Sequence, residues 1–213
     1  MTTLLSVNVG TLAALHHDTP RKRTGIFKQP VTFPVEVTPL GLLGDRVGNL
    51  THHGGPDQAV YLYSAEDYAW WAAQGITPTS AGSFGENLTL DAWWPNVRAG
   101  DQLTVGDVTL ELTAPRIPCG TLATRMGDPQ FVKRFRHAER CGAYARVLRR
   151  GTVQGGLSVT VERAPSDFPT IVELFRYWYD RPHDRAALTH ALRTPIGARL
   201  RATFVEWVNS SSA

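Results

Sequence analysis

Cys119 ends the run Pro115-Arg116-Ile117-Pro118-Cys119, and a thiol in that setting is suited to metal ligation or nucleophilic attack. Two prolines restrict the backbone, and the apolar alternation of residues 108–113 predicts a strand that delivers the run to its place. Rigid loops at strand ends are where ligand-binding groups tend to be held. Arg116 favours the thiolate, the form of cysteine that binds metals and attacks electrophiles. On this pattern alone a second reading stands beside it, in which Cys119 is a small, buried and inert thiol. Cys141 has only Arg140 beside it and is read as structural.

Three further groups carry chemistry. Gly44-Asp45-Arg46 precedes Thr51-His52-His53-Gly54-Gly55-Pro56-Asp57. Paired glycines let a ligand approach the backbone and offer N–H groups to anions, and histidines change charge near neutral pH. Adjacent histidines on an extended chain point apart, so one faces a ligand while the other packs. Gly82-Ser83-Phe84-Gly85-Glu86-Asn87 brings a carboxylate and an amide out of a glycine turn, which serves either a shared cleft or a capped turn. Lys28, in Gly25-Ile26-Phe27-Lys28-Gln29-Pro30, is a further cation; on its own it reads as a surface lysine.

The elements that must position these groups are mostly short strands. Strands are predicted over 4–9, 31–37 (with Pro34 at an edge or bulge), 58–63, 87–90, 102–105, 108–113, 143–148 and 157–161. Ser64 caps a helix to residue 71 with Asp67 three residues on, and Asp128-Pro129 opens a helix to residue 137. The composition shifts after Ala164-Pro165-Ser166. Thr170 and Glu173 form a capping box, Asp184 caps a second helix to residue 193, and Thr194-Pro195 starts a third in which Ile196, Leu200 and Phe204 share one face. The expectation is a mostly β, barrel-like domain over 1–164 and a small three-helix domain over 165–213 whose role is packing or partner contact.

Composition narrows the function classes. Hydrophobic residues at 42% and charged residues at 19% describe a globular chain with a core, and no apolar run approaches a membrane span. The amino terminus lacks a cationic start and apolar run, so a cytoplasmic protein is expected. Two cysteines make no disulfide framework, and without a C-x-x-C a structural zinc site has no support. Residues 1–115 carry 6 Lys/Arg against 11 Asp/Glu, and residues 116–213 carry 16 against 8. That basic second half reads as a solvated surface, because no nucleic-acid-binding signature accompanies it.

Taken in order, Gly25-Ile26-Phe27-Lys28-Gln29-Pro30-Val31, Gly44-Asp45, His52-His53-Gly54-Gly55-Pro56-Asp57, Phe84-Gly85-Glu86-Asn87-Leu88 and Arg116-Ile117-Pro118-Cys119 resemble the MOSC domain, found at the C-terminus of molybdenum cofactor sulfurases. The match is to the stand-alone bacterial branch linked to resistance against N-hydroxylated purines, which carries a C-terminal three-helix domain. The resemblance implies a barrel-like fold that binds the molybdenum–pterin dithiolene cofactor, with Cys119 as the thiolate to molybdenum. Lys28, His53, Gly54, Gly55 and Arg116 match the groups that hold the pterin and its phosphate, and Glu86 and Asn87 fall beside the cofactor cleft. His52 or Asp45 would relay a proton. A pyridoxal phosphate association attaches to the same resemblance. The chain departs from the family pattern at Gln58, where a lysine is common, at Thr121, where a basic residue is common, and at Gly155-Gly156, where Gly-Asp is common.

The implied activity is reduction of N-hydroxylated bases and related hydroxylamines to amines, with electrons from a separate reductase. Neither a membrane nor a specific nucleic acid is an expected partner. Two alternatives share the same residues: a non-catalytic carrier of the cofactor, or of sulfur as a persulfide on Cys119, and a cysteine hydrolase using Cys119 and His52.

Overall fold

A computed structural model describes residues 2–15, 23–49, 53–180 and 184–210. The chain opens with β1 (Thr2–Val9), β2 (Ala13–Ala14), β3 (Arg23–Thr24), β4 (Gln29–Val31), β5 (Val35–Thr38) and β6 (Gly41–Leu42). A 3₁₀ turn at Pro56–Gln58 leads into β7 (Val60–Ser64), α1 (Ala65–Ala73), β8 (Leu88–Leu90), β9 (Gln102–Val105) and β10 (Val108–Pro115). Next come α2 (Gly120–Arg125), α3 (Phe131–Ala138), β11 (Ala143–Arg149), β12 (Gly151–Val153) and β13 (Ser158–Glu162). The chain then runs through α4 (Ile171–Tyr179), α5 (Arg185–Ala191) and α6 (Ala198–Ser210).

Seven strands close on themselves in the order β1-β13-β9-β10-β11-β7-β8, and β4 adds to the ring along β1. All neighbours are antiparallel except β7 and β8. The parallel pair reflects the helical crossover between them, α1, which Ser64 caps by accepting the Asp67 N–H at 3.0 Å. Strand β7 is buried at every position and therefore reads as a continuous apolar run, whereas β9 alternates. Leu4, Leu62, Leu88, Leu103 and Leu110 are among the fully buried residues that fill the interior.

Several expected boundaries shift, each for a local reason. The single strand over 31–37 is two, because Phe33 and Pro34 break the ladder; β5 instead pairs with β6 and β12 in a separate small sheet. The helix expected from Asp128 begins at Phe131, and the Asp128 carboxylate is spent on the Gln130 N–H at 2.8 Å. Helix α6 begins at Ala198 because the Gly197 N–H donates to the Thr113 carbonyl at 3.0 Å, which ties the preceding turn to the barrel. Helix α2, directly after Cys119, is hidden in sequence by its short length.

The last helices pack into two cores. Ile171 and Phe175 of α4 join the main barrel core. Ala99 and Ala114 of the barrel segment join Leu174, Leu188, Ile196, Leu200 and Phe204 in the helical one. The composition break near residue 164 is therefore crossed by packing on both sides. Among the described residues, no helix is long and apolar enough to cross a membrane.

Candidate functional site

The end of β10 aims the Arg116–Cys119 run. Its register against β11 shifts between Leu112 and Ala114, a local irregularity that bends the strand and re-aims its C-terminal end. Arg116 emerges buried, donates to the Phe84 carbonyl at 2.8 Å and lies over the Tyr61 ring, 4.9 Å from its centroid. The Phe84 carbonyl is itself fixed by an aromatic cluster. Phe84 packs against Tyr63, Tyr68, Trp71, Phe131 and Phe135, and its N–H donates to the Tyr68 hydroxyl at 3.0 Å.

The same turn must lie against Lys28, in the segment just before β4. Gly82 adopts φ 84°, and a Cβ there would stand 2.6 Å from the Lys28 carbonyl oxygen, so only glycine lets the two segments touch. Lys28 and Asp45 form an ion pair whose side chains are only 7% and 8% exposed. Asp45 also accepts from the Gly10 N–H at 2.8 Å and from Asn87 Nδ2 at 2.9 Å. Asn87 Oδ1 in turn accepts from the Tyr61 N–H at 3.1 Å. Burial pulls the Lys28 ammonium below its usual range, with Asp45 opposing that pull.

These side chains face one cavity of about 510 Å³. Lys28, Asp45, His53, Gly54, Asn87, Arg116 and Cys119 all line it, and these are the sequence-selected residues that the fold brings together. Gly55 lines an adjoining cavity. Gly54 and Gly55 adopt φ 71° and 87°, which is why the turn beside His53 needs two glycines. His52 lies outside the described residues.

Glu86 does not belong to the cleft surface. It is fully buried, and its oxygens accept from Tyr68 Oη at 2.7 Å, Thr89 Oγ1 at 2.9 Å and the Gly82 N–H at 2.5 Å. Burial pushes its carboxyl up, partly offset by those bonds. Its work is to pin the turn that presents Phe84 and Asn87, so the expected contact with a ligand is corrected to a supporting role.

Electrostatics separates the two cysteines. Burial alone would raise the Cys119 thiol, but a hydrogen bond from His53, then the Arg116 charge and the Leu122 N–H, bring it down to about 6. His53 thus contributes ahead of Arg116, a partner that sequence proximity does not suggest. Burial pushes Cys141 far up, with Asp67 adding to it, so it stays protonated and inert. Arg116 remains cationic: burial opposes its charge, but Tyr144, Tyr61, Cys119 and Glu86 outweigh that.

Sequence reasoning misses Tyr61, Tyr144 and Arg199. The tyrosines read as ordinary strand positions, and Arg199 as the polar face of an amphipathic helix. Arg199 reaches the site because the Ala198 N–H donates to Asp57 Oδ2 at 2.7 Å, and its own Nη1 donates to Gln58 Oε1 at 2.9 Å. The third helix therefore does more than pack.

The cleft suits an anionic group with a soft metal. Arg116 Nε is buried with no acceptor among the described residues. Lys28, Arg46 and Arg116, the glycine backbone and one thiolate match a phosphate on one side and a thiophilic metal on the other. Among the described residues no three His, Cys, Asp or Glu gather as a ligand set.

The MOSC domain profile matches residues 49–160. The chain is 35% identical over 157 residues to the uncharacterized protein YflK of Bacillus subtilis (strain 168), covering 73% of this chain and 71% of that one. A protein named "Reductase" from Gibberella moniliformis is 34% identical over 147 residues, which span 67% of this chain but 26% of that longer protein. The crystal structure of YiiM from Geobacillus stearothermophilus superposes with a TM-score of 0.82 at 26% identity, covering 98% of this chain and 100% of that one.

Proposed function

The chain belongs to the MOSC domain family, and on that footing we propose that it binds the molybdenum–pterin cofactor and reduces N-hydroxylated bases and related hydroxylamines to amines. The observation that carries the reading is the placing of one low-pKa thiol, Cys119, beside two buried cations on the wall of a single cavity. Cys119 would bind the metal as thiolate. Arg116, Lys28, His53 and the Gly54-Gly55 backbone would hold the pterin phosphate. When bound, the cofactor supplies the two-electron chemistry that removes the oxygen of an N–OH group. In balance, R–NHOH takes up two electrons and two protons and leaves as R–NH₂ and water, the electrons coming from a separate reductase.

The protein's own part is orientation and proton supply. Asp45 holds Lys28, and although burial lowers the ammonium's pKa, Asp45 opposes that, so the pair would keep Lys28 in place to hold the phosphate. His53 stands against the thiol within the described cleft and would be the proton donor there. Asp45, the relay that the resemblance implies, is occupied by three hydrogen bonds and acts through Lys28. The similarity to a protein named "Reductase" supports the redox reading over the carrier reading.

The test is elemental analysis of protein made in a host that synthesises the cofactor. Wild type is expected to carry molybdenum and pterin together, and Cys119→Ala to lose the metal. A wild type without molybdenum, or a variant that keeps all of it, would sink the assignment. Bound cofactor with no turnover of hydroxylamines under a competent reductant would leave the carrier.

A further inference from the structure

Behind the cavity wall runs a connected row of oxidisable side chains. Tyr61 stands on that wall, with its ring centroid 6.2 Å from that of Tyr63. Tyr63 lies 4.9 Å from Tyr68, and its hydroxyl accepts from Trp71 Nε1 at 2.7 Å. Trp71 in turn meets Trp70 at 5.0 Å. The first four rings are buried, and Trp70 is half-buried. Packing alone is served by phenylalanine, as at Phe84, Phe131 and Phe135 in the same cluster. Tyrosine and tryptophan add the capacity to lose one electron, and here they link the cavity to the surface.

Charge is distributed along the row. Its two ends carry cations: Arg116 lies 4.9 Å over Tyr61, and Arg140 lies 4.7 Å over Trp70. A guanidinium on a ring face opposes a positive hole in that ring. Tyr68 meets an anion instead. Its hydroxyl accepts from the Phe84 N–H at 3.0 Å, so its own proton is directed to Glu86 Oε2 at 2.7 Å. The Gly82 N–H and the Thr89 hydroxyl also donate to Glu86, which fixes it as an accepting carboxylate. The Tyr61 and Tyr63 hydroxyls donate only to the carbonyls of Cys141 and Arg140, at 3.0 and 2.9 Å, and amide carbonyls are feeble bases. A phenol loses an electron readily when a base within hydrogen-bond reach takes its proton, and of these three Tyr68 alone has one. Burial, which pushes the Glu86 carboxyl up, makes it a better base for that proton.

We propose that Tyr68 and Glu86 form a redox-active pair, a one-electron way station between the cavity and the surface. An oxidant of the peroxyl-radical class takes an electron from the row at Trp70 or Tyr61 and, with a proton from water, leaves as a hydroperoxide. The hole settles on Tyr68, where Tyr68–OH and the Glu86 carboxylate become a neutral tyrosyl radical and a carboxylic acid. A one-electron reductant of the ascorbate class refills it, and Glu86 returns the proton. The pair works without the cofactor.

Pulse radiolysis of the full-length protein with azide radicals, which oxidise tryptophan, tests the route. In wild type the tryptophan-radical absorbance is expected to decay into tyrosyl absorbance at a rate independent of protein concentration. That rate should be slower in D₂O, because a proton moves with the electron. Tyr68→Phe should abolish this phase, and Glu86→Gln should slow it and remove the isotope effect, with circular dichroism reporting the fold of each variant. Trp70→Phe leaves the buried rings in place and should reduce the amplitude. Decay in wild type that occurs only between molecules would overturn the proposal. So would an unchanged phase in Tyr68→Phe or Trp70→Phe, or an isotope effect that survives Glu86→Gln.

Discussion

Cys119 and Cys141 are the same chemical group in two settings. One sits half-buried beside His53 and Arg116, and the other is sealed among apolar residues near Asp67. Alkylation of the metal-free protein should follow a single titration with its midpoint at about 6, because only Cys119 ionises in the accessible range. The sign is set by the lowered value: the thiolate is present above the midpoint, and both reactivity and metal affinity fall as pH drops through it. His53→Ala should move the midpoint up; an unchanged midpoint would remove His53 from the account. Asp45 gives a second residue-scale prediction. Taking away one partner of a buried ion pair strands the other, so Asp45→Asn should lower the unfolding free energy by about 3 kcal/mol in urea titrations.

At the scale of elements, the site depends on contacts between segments that carry no chemistry. The turn at Gly82 to Asn87 is held from one side by the aromatic cluster and from the other by Glu86, and it presents the Phe84 carbonyl to Arg116. Helix α4 is held at its start by the Thr170 and Glu173 box, in which the Glu173 N–H donates to Thr170 Oγ1 at 3.1 Å. Thr170→Ala should cost about 1 kcal/mol, measured by thermal unfolding, and leave molybdenum content unchanged. A loss of metal in that variant would mean that α4 takes part in holding the cofactor.

At the scale of the whole molecule, the barrel and the terminal helices share their cores. Ile171 and Phe175 are 3% and 1% exposed and belong to the core that fills the barrel, where Phe175 packs against Phe135 of α3. Removal of residues 165–213 would open that surface to water and take Trp178 and Arg199 from the cleft. The truncated chain is expected to aggregate or to melt well below the full chain, and the full chain to unfold in one calorimetric transition. Two separate transitions, with the first leaving a folded barrel, would refute this.

Much of the molecule is legible from local pattern. The strand alternation of residues 102–105 and 108–113, the Ser64 cap, the Thr170 box and the face shared by Leu200 and Phe204 depend on neighbours a few residues apart, and the fold keeps them, while Ile196 is buried in the same core from the turn before the helix. The ordered motifs likewise bring out Lys28, Asp45, His53, Asn87, Arg116 and Cys119, which line one cavity. The features that sequence alone leaves undecided depend on distance through space. Glu86 reads as a ligand group until the packing of Tyr68, Thr89 and Gly82 around it takes up its oxygens. Arg199 reads as surface until Asp57 and Thr113, far away in the chain, fix the start of α6 beside Cys119. Whether a side chain is solvated, paired or aimed into a cleft is settled by long-range contacts, and those exist only once the chain has closed its barrel.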